Sequence, residues 1–143
     1  MKQYNRVCAR INLDAIAYNM EQMKNRIGQE GRLIAVIKTD AYGHGAVPLA
    51  EMFEETPYIW GYAVACMGEA RTLRAHGIKK PILILGCVFP DEYEEMVEKE
   101  IRAAVYTEEM AKGMAEAAVR LGKTAFLQGE RSEERFSRNA ETD

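Results

Sequence analysis

The chemistry this chain could perform is concentrated in one short stretch, Leu33 to Gly45, which reads Leu-Ile-Ala-Val-Ile-Lys-Thr-Asp-Ala-Tyr-Gly-His-Gly. Its lysine, Lys38, ends a run of five apolar residues and is followed by a glycine-rich turn. A short apolar run bounded by turn signals predicts a strand buried on both faces, as in a parallel sheet. Alternation puts Ile34, Val36 and Lys38 on one face and Leu33, Ala35 and Ile37 on the other. If the first face is the interior of an α/β sheet or barrel, the amine stands at the carboxyl end of its strand, where such folds keep their ligand chemistry. Partial desolvation there favours the free amine that nucleophilic or Schiff-base chemistry needs. Strand and turn alone leave a second outcome equally open, in which Lys38 snorkels to solvent and has no chemical role.

The elements around this stretch alternate. Cys8 to Leu13 is predicted as a strand, Asp14 as a helix N-cap, and Ala15 to Ile27 as a helix carrying Ile16, Met20, Met23 and Ile27 at helical spacing, stopped by Gly28. These methionines are read as core filler. After the Leu33 to Lys38 strand comes a helix from about Ala46 to Glu55, with Pro48 tolerated in its first turn. His44, between two glycines, is read as holding the turn rather than transferring protons. A strand is predicted over Ile59 to Ala65 and a helix over Gly68 to His76, where His76 and Gly77 make a C-terminal cap.

Pro81 to Gly86 is the next strand, Pro90 to Glu100 a helix with Tyr93, Met96 and Val97 as its apolar stripe, and Ile101 to Tyr106 another strand. Leu83 and Leu85 are read as core residues, with lining of a ligand pocket as the other reading. Glu108 to Leu121 predicts a helix ended by Gly122. Strand and helix thus alternate with a period of roughly 20 to 25 residues, the pattern of an α/β fold with a parallel sheet and right-handed crossovers.

Composition excludes several classes. The chain has 143 residues, 48% of them hydrophobic, enough for one domain or part of one. A net charge of −3 and a pI near 5.5 offer no basic face to nucleic acid. Cys8, Cys66 and Cys87 form no C-x-x-C pair and are odd in number, which indicates reduced thiols of a cytoplasmic protein rather than a disulfide framework or a metal site. No signal peptide or membrane-spanning run is expected.

The run Lys38-Thr39-Asp40-Ala41-Tyr42-Gly43-His44-Gly45 closely resembles the cofactor-lysine signature of alanine racemases, and the likeness extends from about Arg10 to Gly122. That resemblance implies the N-terminal half of a (β/α)8 barrel that binds pyridoxal 5'-phosphate (PLP). It implies that Lys38 carries the cofactor as an aldimine and acts as acid and base on one face of the substrate's α-carbon. It also implies that Tyr42 hydrogen-bonds the cofactor phosphate. The activity implied is interconversion of L- and D-alanine in the cytoplasm, supplying D-alanine for peptidoglycan. The family is a homodimer in which the second base is a tyrosine from the C-terminal domain of the partner subunit.

The likeness fails toward the end of the sequence. Lys123 to Gln128 begins what should be a fifth strand, but the expected Asp-Thr-Gly-Met-x-Arg-like segment is missing after it. Residues Gly129 to Asp143 carry eight charges in fifteen positions, with Phe136 the sole large apolar side chain. The organisation expected is therefore a partial barrel over residues 1–128 and a charged, disordered tail over 129–143. A truncated or frame-shifted product is the favoured origin of the change, a natural regulatory tail the alternative. A complete barrel takes eight strands and about 250 residues. An incomplete one exposes strand edges and one sheet face, which predicts marginal stability and aggregation. Two alternatives to a racemase remain: a catalytically inactive fragment that at most binds PLP, and a non-enzymatic PLP-binding barrel protein.

Overall fold

The computed structural model describes residues 7–129. Five parallel strands, β1 (Leu33–Val36), β2 (Ile59–Val64), β3 (Ile82–Ile84), β4 (Ile101–Val105) and β5 (Leu127–Gly129), lie side by side in sequence order. Right-handed crossovers between strands in sequential order put every connecting helix on the same face. The result is a curved wall with helices outside, the first part of a (β/α)8 barrel, as the sequence predicts.

The helices are α1 (Leu13–Ile27), α2 (Lys38–Gly43), α3 (Ala46–Phe53), α4 (Met67–Ala75), α5 (Tyr93–Glu98) and α6 (Glu108–Leu121), with a 3-10 turn at Pro90–Glu92. Their apolar stripes meet the outer face of the sheet. Tyr62, Val64, Ile82, Ile84, Ile101 and Ala103 point into the same core as Leu49 and Phe53 of α3, Leu73 of α4, Met96 of α5 and Met114 of α6. The predicted stripe Tyr93, Met96, Val97 is buried, and Gly122 ends α6 in the left-handed conformation (φ 60°) that its missing Cβ makes inexpensive.

Two expectations are corrected. No strand forms over residues 7–12; the α1 cap is Asn12, whose Oδ1 accepts a hydrogen bond from the Ala15 amide at 3.0 Å, and Asp14 lies one residue inside the helix. The Cys8 side of this segment is exposed and Ile11 is only partly buried, so the alternation there builds no buried face. Strand β1 is likewise buried on one face only. Ala35 and Ile37 are packed against helices at 9% and 4% exposure, whereas Ile34 and Val36, on the face that includes the Lys38 position, are 43% and 45% exposed. This is the inner wall of the barrel, which the described residues do not close.

The charged tail expected from residue 129 onward lies outside the described residues, except that Gly129 itself ends β5. Cys8, Cys66 and Cys87 are free and exposed, and among the described residues no cluster of potential metal ligands occurs. No described helix is long and apolar enough to cross a membrane.

Candidate active site

Lys38 follows β1 by two residues and is half-buried at the carboxyl end of the sheet. Its backbone is pinned from both sides. The Ile37 amide continues the ladder by donating to the Ala63 carbonyl at 2.9 Å, and the Thr39 amide donates to Glu69 Oε1 at 2.7 Å. Among the described residues the Lys38 amine makes no ion pair or hydrogen bond, so it is available to a ligand.

Beyond Lys38 the backbone makes a left-handed helical turn rather than a glycine-rich loop. Thr39, Asp40, Ala41 and Tyr42 have φ between 52° and 55° and ψ between 36° and 48°. For residues with a Cβ this conformation costs roughly 1–2 kcal/mol each, and non-glycine residues adopt it singly, as Glu100 does elsewhere in this chain (φ 53°). Four in succession persist only where the surroundings over-determine them, a pattern typical of functional sites. The sequence offered no warning, because the strained positions are not the glycines.

The restraints are visible. Ala41 is buried at 4% exposure, and its amide donates to the Ile37 carbonyl at 2.9 Å. The Gly45 amide donates to the Asp40 carbonyl at 3.0 Å, and Asp40 Oδ1 accepts from the Ala46 amide at 2.8 Å, capping the first turn of α3. His44 Nδ1 lies 2.8 Å from the Ala41 carbonyl. A carbonyl only accepts, so the imidazole carries a proton on Nδ1, and His44 holds the turn as expected. His76 also behaves as a cap, with Nδ1 2.9 Å from the Thr72 carbonyl.

Tyr42 emerges from the last of the left-handed residues and is 62% exposed. Its ring borders an apolar cavity of about 410 Å³ along the β1 edge, lined also by Ile16, Met20, Leu33, Ile34 and His44. Lys38 and Tyr42 thus stand at the two ends of one rigid turn, although Lys38 is not part of that cavity's lining. Leu83 is buried at 7% exposure, in keeping with a core residue, while Leu85 is half-exposed at 37% and its carbonyl accepts from the Tyr106 hydroxyl.

Three contributors escaped the sequence reading. Glu69 joins the Thr39 amide to the Ala65 amide, each at 2.7 Å. Its position three residues after the Cys66 cap, in the first turn of α4, has the spacing of a side chain that reaches back to an N-terminal amide; the contact with Thr39, thirty residues away, leaves no local signal. Asp40 is the second. The third is Arg102, which shares the inner face with Leu83 and is stacked between Trp60 and Phe126, its guanidinium carbon 4.8 Å and 4.5 Å from the two ring centroids.

Comparison with known proteins supports the fold. The family model described as alanine racemase, N-terminal domain, matches residues 11–127. The alanine racemase of Desulforamulus reducens is 37% identical over 121 residues, covering 85% of this chain and 32% of that protein. The solved alanine racemase of Clostridium difficile 630 superposes with a TM-score of 0.79 at 38% identity over 82% of this chain and 31% of that one. A histidine racemase from Leuconostoc mesenteroides does so at 0.69 and 29% identity, over 80% of this chain and 30% of its own. The chain therefore spans about a third of the relatives it matches, and over that span it belongs to the alanine racemase N-terminal domain family.

Proposed function

We propose that this chain is the cofactor-lysine portion of a PLP-dependent amino-acid racemase acting on alanine, with Lys38 as the residue that binds the cofactor aldehyde and Tyr42 as a phosphate ligand. The observation that carries the reading is the uncommitted Lys38 amine on a backbone fixed by bonds of 2.9 Å and 2.7 Å, at the carboxyl end of a barrel strand. The donor set fits the group. An aldehyde asks for an unengaged primary amine, and a phosphate asks for an exposed hydroxyl donor at the same end of the sheet. PLP, when bound, supplies the electron sink for charge developing at the substrate's α-carbon.

The rest is the work of the chain's own side chains. Nζ of Lys38 holds or accepts a proton on one side of the α-carbon, and racemisation requires a second group for the opposite side. The left-handed turn keeps the Lys38 backbone from drifting, which matters because misplacement of about 1 Å can cost about a hundredfold in rate. Tyr42 gives the phosphate an anchor four residues from the amine. The same reading carries a cytoplasmic homodimer whose second base comes from the partner subunit. Alanine is proposed from the relatives.

A second reading, binding of PLP without turnover, is favoured by the exposure of Ile34, Val36 and Tyr42, which leaves water free to reach the site. Two measurements separate these readings. Added PLP should give a visible absorbance band that Lys38→Ala abolishes; no band with the unsubstituted chain refutes both. Loss of optical rotation from L-alanine should accompany the band if the chain racemises, and a stable rotation with the band present selects binding without turnover.

A further inference from the structure

The residue after Lys38 is bonded to a carboxylate on another βα unit. Glu69 is half-buried in the first turn of α4, and its two oxygens are used separately: Oε1 accepts from the Thr39 amide and Oε2 from the Ala65 amide, both at 2.7 Å. Thr39 is the first left-handed residue of α2, and Ala65 is the first residue beyond β2. One side chain thus ties the carboxyl ends of two neighbouring strands at the point where the β1–β2 ladder stops, one residue past Lys38. The ladder's last bond, Ile37 amide to Ala63 carbonyl, grips the residue before Lys38; Glu69 grips the residue after it.

We propose that Glu69 is a positioning residue for Lys38, holding the entry to the left-handed turn so that the amine keeps a single direction toward its ligand. The proposal rests on the reading of Lys38 as the cofactor lysine. The chemistry requires a carboxylate. Two amide donors face the side chain, and only a group with two acceptor oxygens satisfies both; a carboxamide of the same shape turns its own N–H donors toward one amide and, without the charge, holds the other less tightly. Charge-assisted bonds from backbone amides to a carboxylate are also short and strong, which suits a turn that would otherwise relax.

Glu54 provides a matched control at the opposite end of the sheet. Its Oε1 accepts from the amides of Lys79 and Lys80 at 2.7 Å and 3.0 Å, far along the chain from Lys38. Glu54→Gln and Glu69→Gln both remove the charge of a carboxylate that holds backbone amides, but only one adjoins Lys38.

The test uses the 143-residue chain with PLP as probe. Lys38 Nζ adds to the cofactor aldehyde carbon with loss of water, borohydride delivers hydride to the resulting C=N bond, and the secondary amine formed is located by peptide mass mapping. Labelling of Lys38 is expressed relative to the exposed Lys112. Glu69→Gln should lower that ratio about tenfold, the equivalent of one net hydrogen bond, and raise amide exchange at Thr39 and Ala65 by a similar factor. Glu54→Gln should leave the ratio unchanged even if it lowers the unfolding midpoint.

Unchanged exchange at Thr39 in Glu69→Gln overturns the clamp, and faster exchange with an unchanged labelling ratio overturns its role in positioning Lys38. An equal fall of the ratio in Glu54→Gln also overturns the proposal, because the effect is then general destabilisation. A parent chain that shows no preference for Lys38 refutes the cofactor-lysine reading, and exchange at Thr39 and Ala65 then decides the clamp by itself.

Discussion

Replacing Thr39 with glycine should make this protein more stable. Thr39 sits at φ 55°, ψ 48°, is exposed, and contributes its backbone amide rather than its side chain to the Glu69 bond. Threonine is β-branched, the class for which positive φ is most unfavourable. Removing the Cβ relieves roughly 1–2 kcal/mol of left-handed strain. The added freedom of glycine in the unfolded chain takes back about 0.5–1 kcal/mol. The balance is a gain of about 0.5–1 kcal/mol, which Thr39→Ala should not reproduce because alanine retains the Cβ.

Ala41→Gly supplies an internal comparison. Its φ is 52°, so the relief is similar, but its methyl is buried at 4% exposure. Losing that methyl costs about 0.8 kcal/mol, which cancels most of the gain and leaves the variant near neutral. Urea unfolding followed by Trp60 fluorescence measures all three variants on the same baseline. Thr39→Gly falling below the parent by about 0.5 kcal/mol or more, the usual penalty for glycine in ordinary regular structure, would refute the left-handed assignment and with it the account of how Lys38 is presented.

Further outcomes are expected elsewhere in the fold. Gly61→Ala should destabilise by about 1–3 kcal/mol or more in the same urea titration, since a Cβ there would stand 2.3 Å from the Pro81 carbonyl oxygen and force β2 from β3. Tyr62→Phe should cost about 1 kcal/mol by removing the hydroxyl that donates to the buried Ala50 carbonyl at 2.7 Å. The bidentate Arg71 contact holds the Glu95 carboxyl below the usual glutamate range; a depressed folded-state pKa means that the α4–α5 link stabilises above the ordinary carboxylate pKa of about 4.3 and weakens as pH falls through the lowered value. Glu95→Gln should therefore flatten the acid limb of stability against pH. Finally, Ile34→Lys with Val36→Lys should reduce self-association in sedimentation without lowering the unfolding midpoint, because both side chains are nearly half-exposed on the inner wall.

The outer half of this fold was legible because burial there obeys simple periods. Ile82 and Ile84 alternate into the core, Met96 and Val97 keep helical spacing, and Gly122 stops α6 where a left-handed cap is needed. Lys38 and Tyr42 were legible as a run that resembles a family signature. What eluded the sequence was how they are held. The strain falls on Thr39, Asp40, Ala41 and Tyr42, while propensity directs attention to Gly43 and Gly45; the bond that restrains it comes from Glu69, whose partner lies thirty positions back. Predicted burial of β1 on both faces failed for a related reason, since the second face depends on a wall that β1–β5 do not build.

That division explains why the site is organised through backbone rather than side-chain packing. On the inner wall, Ile34 and Val36 are nearly half-exposed among the described residues, so close packing from these residues does not fix the direction of Lys38. Main-chain hydrogen bonds do not depend on such a layer. The Ile37 and Thr39 amides are fixed to β2 and α4, the Ala41 amide to Ile37, and the exit of the turn to Asp40. A right-handed turn would cost less strain, but the left-handed one is the turn in which the Thr39 amide meets Glu69. The left-handed path, which costs several kcal/mol, is held by these bonds at the end of β1.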